Sequence, residues 1–133
     1  MDRLSVEAKV ENLYQITDYV EEELEAIGVP LGHITSVCIA IEEVYVNIAS
    51  YAYKDETGKV DVEIDTKDSS INIKFFDEGT PYNPLEKMDP DINLPAEKRQ
   101  QGGLGIYMIK KIMDEVEYEY KDNKNILTMV KGF

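Results

Sequence analysis

The hydrophobic and polar positions in the first half of this chain follow two periods, which predict one strand and two helices. Residues 4–8 alternate between apolar and polar, which indicates a strand with one buried face. Apolar residues then recur every three or four positions over 13–27 and again over 34–52, the spacing of helices with an apolar stripe. Gly28 is suited to end the first helix, and Pro30 is suited to begin the second.

The second half of the chain contains a predicted hairpin, a third helix and a final pair of strands. Residues 60–64 and 71–75 alternate between apolar and polar on either side of the turn sequence Asp68-Ser69-Ser70. The remaining predicted elements are a helix over 106–116 and strands over 116–120 and 126–130. Because helices and strands do not alternate regularly, we expect an α+β fold. It would be a two-layer sandwich with helices on one face of a mainly antiparallel mixed sheet.

Residues 80–101 follow neither the helical nor the strand period of apolar positions. They hold four of the five prolines of the chain among many polar residues. A loop of this length inside a small domain usually carries a function or moves. We find no internal repeat and no linker, so we expect one domain over residues 1–133.

Composition and charge exclude several classes of function. The net charge is -13, from 27 acidic and 14 basic residues, so we expect neither nucleic acid nor a membrane surface as a partner. Cys38 and His33 are the only residues of their kinds, which excludes an internal disulfide and a site of several histidines or cysteines for a metal. We see no signal peptide and no apolar run of membrane-spanning length, and a reduced, cytoplasmic setting fits.

The predicted second helix carries a narrow polar line on an otherwise apolar surface. At about 100° per residue, Ser36, Glu43, Asn47, Ser50 and Lys54 lie along this line. An amide oxygen can bind Mg²⁺ when phosphates and waters complete the shell. A carboxylate one turn away can orient or deprotonate a hydroxyl group or a water. The alternative is that Glu43 and Asn47 are an exposed pair with no task.

Asp77 is an acid at a position where its strand calls for an apolar residue. It continues the buried parity of 71–75, so its carboxylate needs hydrogen-bond donors or its pKa rises. The exocyclic amino group of a purine is one suitable donor. Gly79 would allow close backbone approach and a positive φ. The alternative is that Asp77-Glu78-Gly79 is an ordinary turn at the end of a strand.

A glycine cluster, Gly102-Gly103-Leu104-Gly105, stands before Ile106 at the start of the third predicted helix. The free N–H groups of a helix start carry partial positive charge and bind phosphate. Lys98 and Arg99 lie just upstream and could add cations. The alternative is the end of a flexible loop. Together, the three segments in this order point to an ATP site within one small domain.

The three segments resemble those of a known family, the GHKL or histidine kinase-like ATPases. This group includes gyrase B, histidine kinases, the ninety-kilodalton chaperone and mismatch-repair ATPases. Within it, the chain is most similar to the stand-alone anti-sigma-factor serine/threonine kinases. The resemblance covers nearly the whole chain. Its asparagine box is at 42–53, its glycine boxes are at 77–84 and at 102–109 with 113–116, and its closing strand is at 127–131.

The resemblance implies a role for each segment. Glu43 would be the general base, and Asn47 would bind Mg²⁺. Asp77 would accept a hydrogen bond from the adenine amino group, with Thr128 assisting directly or through water. Residues 80–101 would be the ATP lid. The other residues expected to contact ATP are Ser50, Tyr51, Gly79, Pro81, Arg99, Gly102, Gly103, Leu104, Gly105 and Ile106.

The resemblance also implies a reaction and partners. The protein would use ATP and Mg²⁺ to phosphorylate a serine of a small anti-anti-sigma-like antagonist protein. It would hold a sigma factor in its other partner state, and it would form a homodimer. One alternative is a catalytically weak, nucleotide-gated binding module, because Tyr51 stands where these kinases often have histidine. Another is the ATPase domain of a histidine kinase, which would need an upstream dimerisation helix with its own phosphorylated histidine.

Overall fold

The computed structural model describes residues 2–53, 58–86 and 103–133, which form helices and strands in the predicted order. The strands are β1 (Asp2–Glu7), β2 (Lys59–Lys67), β3 (Ser70–Asp77), β4 (Glu115–Lys121) and β5 (Lys124–Gly132). The helices are α1 (Leu13–Ala26), α2 (Leu31–Tyr51) and α3 (Gly103–Ile112). Short 3-10 turns occur at Val10–Asn12 and Pro84–Glu86. The predicted order of strands and helices is therefore confirmed over the described ranges.

The five strands form one sheet in the order β1-β2-β3-β5-β4. Every neighbouring pair among the described strands is antiparallel, so the expected mixed character is absent from this part of the chain. Two tight turns close the hairpins β2–β3 and β4–β5. Their central residues all have positive φ, the geometry that matches the twist of the strands they join: Asp68, Ser69, Asp122 and Asn123.

The core lies between one face of the sheet and the helices. Alternate residues of β2, β3 and β5 are buried on this face, as their burial patterns show. From α2, Val37, Ile41 and Tyr45 are fully buried against them. The Tyr45 hydroxyl accepts a hydrogen bond from the N–H of Lys9 at 3.1 Å and lies 3.0 Å from the carbonyl oxygen of Glu7. The phenol is thus satisfied inside the core, and it ties α2 to the end of β1.

Helix α2 is also the one described helix whose length and composition would suit a membrane span. Its residues Leu31–Ser50 have a mean hydropathy of 1.2. The expectation that the chain holds no such run is therefore wrong as a statement about composition. The central helix of a water-soluble domain meets the same criterion. Val37, Ile41 and Tyr45 of this helix are completely buried within the domain.

Candidate functional site

An open cleft lies between the C-terminal half of α2 and the strands β3, β4 and β5. The empty space within it, including the part that is open to solvent, is about 520 Å³. Apolar side chains make up much of its wall: Val44, Ile48, Ala52, Pro84 and Leu127. The polar residues of the wall are Asn47, Asp77, Thr80, Tyr82, Tyr118 and Asn125. A mainly apolar wall with a few convergent polar groups is typical of a site for a flat, partly polar ligand.

Asp77, the last residue of β3, is the acid of this cleft. It is only 5% exposed and continues the buried parity of its strand, as predicted. Burial raises the pKa of the Asp77 carboxyl, and hydrogen bonds from Asn125 and Gly79 partly oppose that rise. Both bonds end on Oδ1, at 2.9 Å from Asn125 Nδ2 and 3.0 Å from the Gly79 nitrogen. Oδ2 accepts no hydrogen bond from the described residues, so it is available to a donor on a ligand.

The backbone that follows Asp77 is held against the C-terminal end of α2. The N–H of Thr80 donates to the carbonyl oxygen of Ala52 at 3.0 Å. A Cβ at Gly79 would lie 2.4 Å from that oxygen and 2.6 Å from the Ala52 Cβ. The Tyr53 hydroxyl accepts from the N–H of Glu78 at 2.7 Å, which adds a second link to the same turn. Gly79 is therefore required for close approach to α2, and not for a positive φ.

Asn125 was missed by the sequence analysis, although it lies directly opposite Asp77 in the register of β3 and β5. It is 6% exposed. Its amide nitrogen donates to Asp77 Oδ1 and to the carbonyl oxygen of Thr80, at 2.9 and 3.1 Å. Its amide oxygen accepts from the N–H of Tyr82 at 3.2 Å and from the Tyr118 hydroxyl. A polar residue on the buried parity of the last strand was the signal that could have found it.

Thr128 does not reach Asp77, which corrects the prediction that it assists this carboxylate. Successive side chains of a strand point to opposite faces. Asn125, Leu127 and Met129 occupy the buried face of β5. Thr128 is half-buried on the other face, where its register partners are Lys74 and Glu117. Asn125, and not Thr128, therefore lies beside Asp77.

Helix α2 places Asn47 in the wall of the cleft and the half-buried Glu43 one turn earlier. Neither side chain makes a hydrogen bond or an ion pair with the described residues. Ser50 is exposed and does not line the cleft, and the Ser36 hydroxyl donates to the carbonyl oxygen of Gly32 at 3.1 Å. The polar line predicted along this helix thus contributes one side chain, Asn47, to the described wall.

The described residues contain no group of three or more histidine, cysteine or acidic side chains that could hold a metal ion. A fully protein-built metal cage is therefore absent from this part of the chain. The donor set suits a different mode, in which Mg²⁺ arrives with phosphates and takes one amide oxygen from the protein. Asn47, an unbonded amide in the wall of the cleft, fits that mode.

Other predicted contacts are placed only in part. Helix α3 begins at Gly103, within the glycine cluster, whereas the predicted helix began after the cluster, at residue 106. Only the backbone of Gly103, Leu104, Gly105 and Ile106 is described. Tyr51 ends α2, and its side chain lies outside the description. Pro81 is exposed and does not line the cleft. Arg99, Gly102 and the predicted lid from residue 87 onward lie outside the described residues.

Cys38 does not have the properties of a nucleophile. Its sulfur lies 3.8 Å from Glu21 Oε1. Burial, followed by the charge of Glu21 and this hydrogen bond, raises the pKa of the Cys38 thiol to about 11. The thiol is therefore protonated at neutral pH, whereas nucleophilic chemistry needs the thiolate.

The sequence pattern of one protein family, described as the histidine kinase-like ATPase domain, matches residues 6–131. The chain belongs to this family. The match includes every residue that lines the described cleft. It confirms the resemblance drawn from the asparagine and glycine segments, and the α+β sheet-and-helix architecture agrees with it.

Curated relatives of this family member carry the name serine-protein kinase RsbW. One from Bacillus cereus and one from Bacillus mycoides are each 27% identical over 128 residues, which is 93% of this chain and 80% of the relative. Among solved structures, the crystal structure of the RsbU and RsbW domains of a Mycobacterium tuberculosis protein is similar, with a TM-score of 0.66 and 14% identity. The alignment covers 99% of this chain and 32% of that longer one, and at this identity it shows the fold alone.

Proposed function

We propose that this protein is a protein-serine kinase that binds Mg²⁺-ATP in the cleft and phosphorylates a small antagonist protein. It would act in the cytoplasm as a partner switch in transcription regulation, releasing or holding a sigma factor. The observation that carries the proposal is that Asp77 and Asn47 line one cleft in a histidine kinase-like ATPase domain. The name of its relatives, serine-protein kinase, supports the choice of reaction.

The base of the nucleotide would occupy the apolar part of the cleft. Val44, Ile48 and Leu127 provide contact area for a flat ring system. The Asp77 carboxylate, through Oδ2, would accept a hydrogen bond from the adenine amino group. A hydrogen bond to a charged group is worth about 1.5–3 kcal/mol. The apolar side chains would thus bury the faces of the adenine ring, and Asp77 would determine how the ring is oriented in the cleft.

The triphosphate needs local donors, because the protein carries a net charge of -13. Asn47 would give its amide oxygen to Mg²⁺, with phosphates and waters completing the octahedron. When bound, the ion neutralises charge on the phosphates during transfer. The first N–H groups of α3, at Gly103, Leu104 and Gly105, are of the kind that bind phosphate oxygens.

Glu43 would act as the general base. Its carboxylate would take the proton from the hydroxyl of the acceptor serine, and the serine oxygen would bond to the γ-phosphorus. The bond between that phosphorus and the bridging oxygen breaks, and ADP leaves with the bonding electrons. Glu43 suits this role because no described residue occupies its carboxylate with a hydrogen bond or an ion pair.

The test compares Glu43→Gln with Glu42→Gln, which alters the adjacent exposed acid on the same helix. The acceptor is first captured by pull-down with Mg²⁺-ATP and Mg²⁺-ADP in parallel, and phosphoserine is identified by mass spectrometry. We expect Glu43→Gln to bind ATP normally and to lose transfer by about 100-fold or more, the scale of general base catalysis. We expect Glu42→Gln to match the unaltered protein.

Two outcomes would contradict the proposal at different points. Unchanged transfer of labelled phosphate by Glu43→Gln would remove this residue from its role. ATP-dependent capture of a partner without any phosphoserine would replace the kinase by a nucleotide-gated binding module.

A further inference from the structure

Asn125 joins the end of β3, the segment that follows it and β4 through one amide group. Its nitrogen donates to the Asp77 carboxylate and to the carbonyl oxygen of Thr80. Its oxygen accepts from the N–H of Tyr82 and from the hydroxyl of Tyr118 on β4. At 6% exposure, it makes these contacts out of reach of most solvent. Its polar atoms therefore depend on these protein partners for their hydrogen bonds.

The partners of Asn125 allow only one orientation of its amide. On the nitrogen side stand three oxygens, from Asp77, Thr80 and Gly79, at 2.9, 3.1 and 3.4 Å. On the oxygen side stand two donors, the Tyr82 N–H and the Tyr118 O–H. A reversed amide would set its oxygen against the three oxygens and its N–H groups against the Tyr82 N–H. The amide nitrogen of Asn125 therefore always faces Asp77 and donates to its carboxylate.

The hydrogen bond from Asn125 determines which oxygen of Asp77 is left to face a ligand. Asn125 and the Gly79 N–H both bind Oδ1, so this oxygen is engaged by the protein. Oδ2 remains as a pure acceptor when the carboxyl group is ionised. A carboxylate oxygen held in this way attracts the amino group of adenine. It repels the carbonyl oxygen that guanine presents at the same ring position.

We propose that Asn125 is a positioning residue that holds the Asp77 carboxylate and thereby sets the preference of the cleft for adenine over guanine nucleotides. The inference rests on the proposed function in one respect, that the ligand is a purine nucleotide. Asn125 acts through Asp77 and through the turn at Thr80. Tyr118 supports it by fixing the amide orientation from the neighbouring strand.

The test measures the affinities of ADP and GDP by calorimetry for the unaltered protein, Asn125→Leu, Tyr118→Phe and Thr128→Val. Asn125→Leu removes every hydrogen bond of the amide at similar volume. We expect it to weaken ADP binding about 10-fold, the loss of about one hydrogen bond to a charged group, and to reduce the ratio of ADP to GDP affinity. Thr128→Val alters the same strand on its opposite face, and we expect it to keep both affinities.

A pH profile separates a positioning role from general support of the fold. The hydrogen bond from the Asn125 N–H lowers the pKa of Asp77. In Asn125→Leu, the fall in ADP affinity that accompanies protonation of Asp77 should therefore occur at a higher pH than in the unaltered protein. The charged groups that line a second pocket together with Asp77 are Lys59 and Asp61 on β2, Glu78 beside it and Lys124 on β5. The nearby phenols are Tyr53, Tyr82 and Tyr118, and α2 adds no charged side chain to the described wall. None of these groups is altered in Asn125→Leu.

The outcomes distinguish this inference from the proposed function. If the unaltered protein binds neither nucleotide, the proposed function fails, and the inference fails with it. If Asn125→Leu has the same ratio of ADP to GDP affinity as the unaltered protein, and its ADP affinity falls at the same acidic pH, the inference alone is overturned. Circular dichroism establishes that each variant is folded. If Asn125→Leu is not folded, Tyr118→Phe decides, because it removes one hydroxyl and should still lower the ratio of ADP to GDP affinity.

Discussion

At the scale of single residues, the burial of Asp77 has a cost in stability, which accompanies the binding role that we propose for it. A carboxylate that is 5% exposed loses most of its hydration, and two hydrogen bonds replace only part of it. Its position on the buried parity of β3 was readable from the sequence. The identity of its main partner was not, because Asn125 lies 48 positions away along the chain. Residues that break the local pattern in this way are often the functional ones.

The sign of the Asp77 effect on stability follows from its raised pKa. The folded state holds the proton more tightly than the unfolded state, whose pKa is near the ordinary value of 3.8. The free energy of unfolding therefore falls as pH rises from that value through the raised pKa, and the penalty is constant above it. Nucleotide affinity should instead increase as pH rises through the raised pKa, because only the ionised Asp77 carboxylate is a pure hydrogen-bond acceptor.

We expect Asp77→Asn to raise the free energy of unfolding at pH 7 by about 1 kcal/mol, the scale of one buried polar group. It should also abolish most ADP binding, because an amide N–H₂ would face the adenine amino group. Urea denaturation at pH 7 and at lower pH measures the first effect, and its size should shrink as pH falls. A variant that is less stable at pH 7 yet binds ADP normally would contradict both statements.

At the scale of elements, the cleft depends on how the turn after β3 packs against α2. The Thr80 N–H bonds to the Ala52 carbonyl, and the Gly79 backbone lies against the same residue. The contact joins the end of a helix to the end of a strand, so it places Asn47 and Asp77 around one cleft. The sequence predicted a close approach at Gly79, and the structure assigns it to α2.

Gly79→Ala should therefore destabilise the protein by about 1–3 kcal/mol, the scale of overpacking. The added Cβ would meet backbone and Cβ atoms of Ala52 at 2.4–2.7 Å, which cannot rotate away. Gly32→Ala is the matched control, because nothing lies within 4 Å of its added Cβ. Since Gly32 is helical, its replacement should stabilise the protein by up to about 1 kcal/mol. Equal urea midpoints for the two variants would show that Gly79 is not confined by α2.

At the scale of the whole molecule, the charge balance opposes compactness. The net charge is -13. The ion pairs between Arg3 and Asp61 or Glu63, and between Lys9 and Glu7, lie at the surface. Exposed pairs of this kind contribute little. Repulsion between acids is therefore the larger electrostatic term, and dissolved salt screens it.

Raising NaCl from about 0.02 M to about 0.5 M should increase the melting temperature in the absence of nucleotide, because the Debye length shortens well below the spacing of most surface charges. Calorimetry with NaCl and then with KCl checks that the effect is one of ionic strength. A fall in melting temperature with both salts would indicate that the surface ion pairs outweigh the repulsion.

The sequence by itself determined the order of helices and strands, the hairpin turns and the buried position of Asp77, because these depend on neighbours a few positions apart. Only the tertiary structure decided that Asn125 meets Asp77 and that Thr128 lies on the other face. Residues 126–130 are apolar at nearly every position, so their period does not reveal which face Thr128 takes. Strand register and helix packing join distant parts of the chain, and no local pattern encodes those pairings.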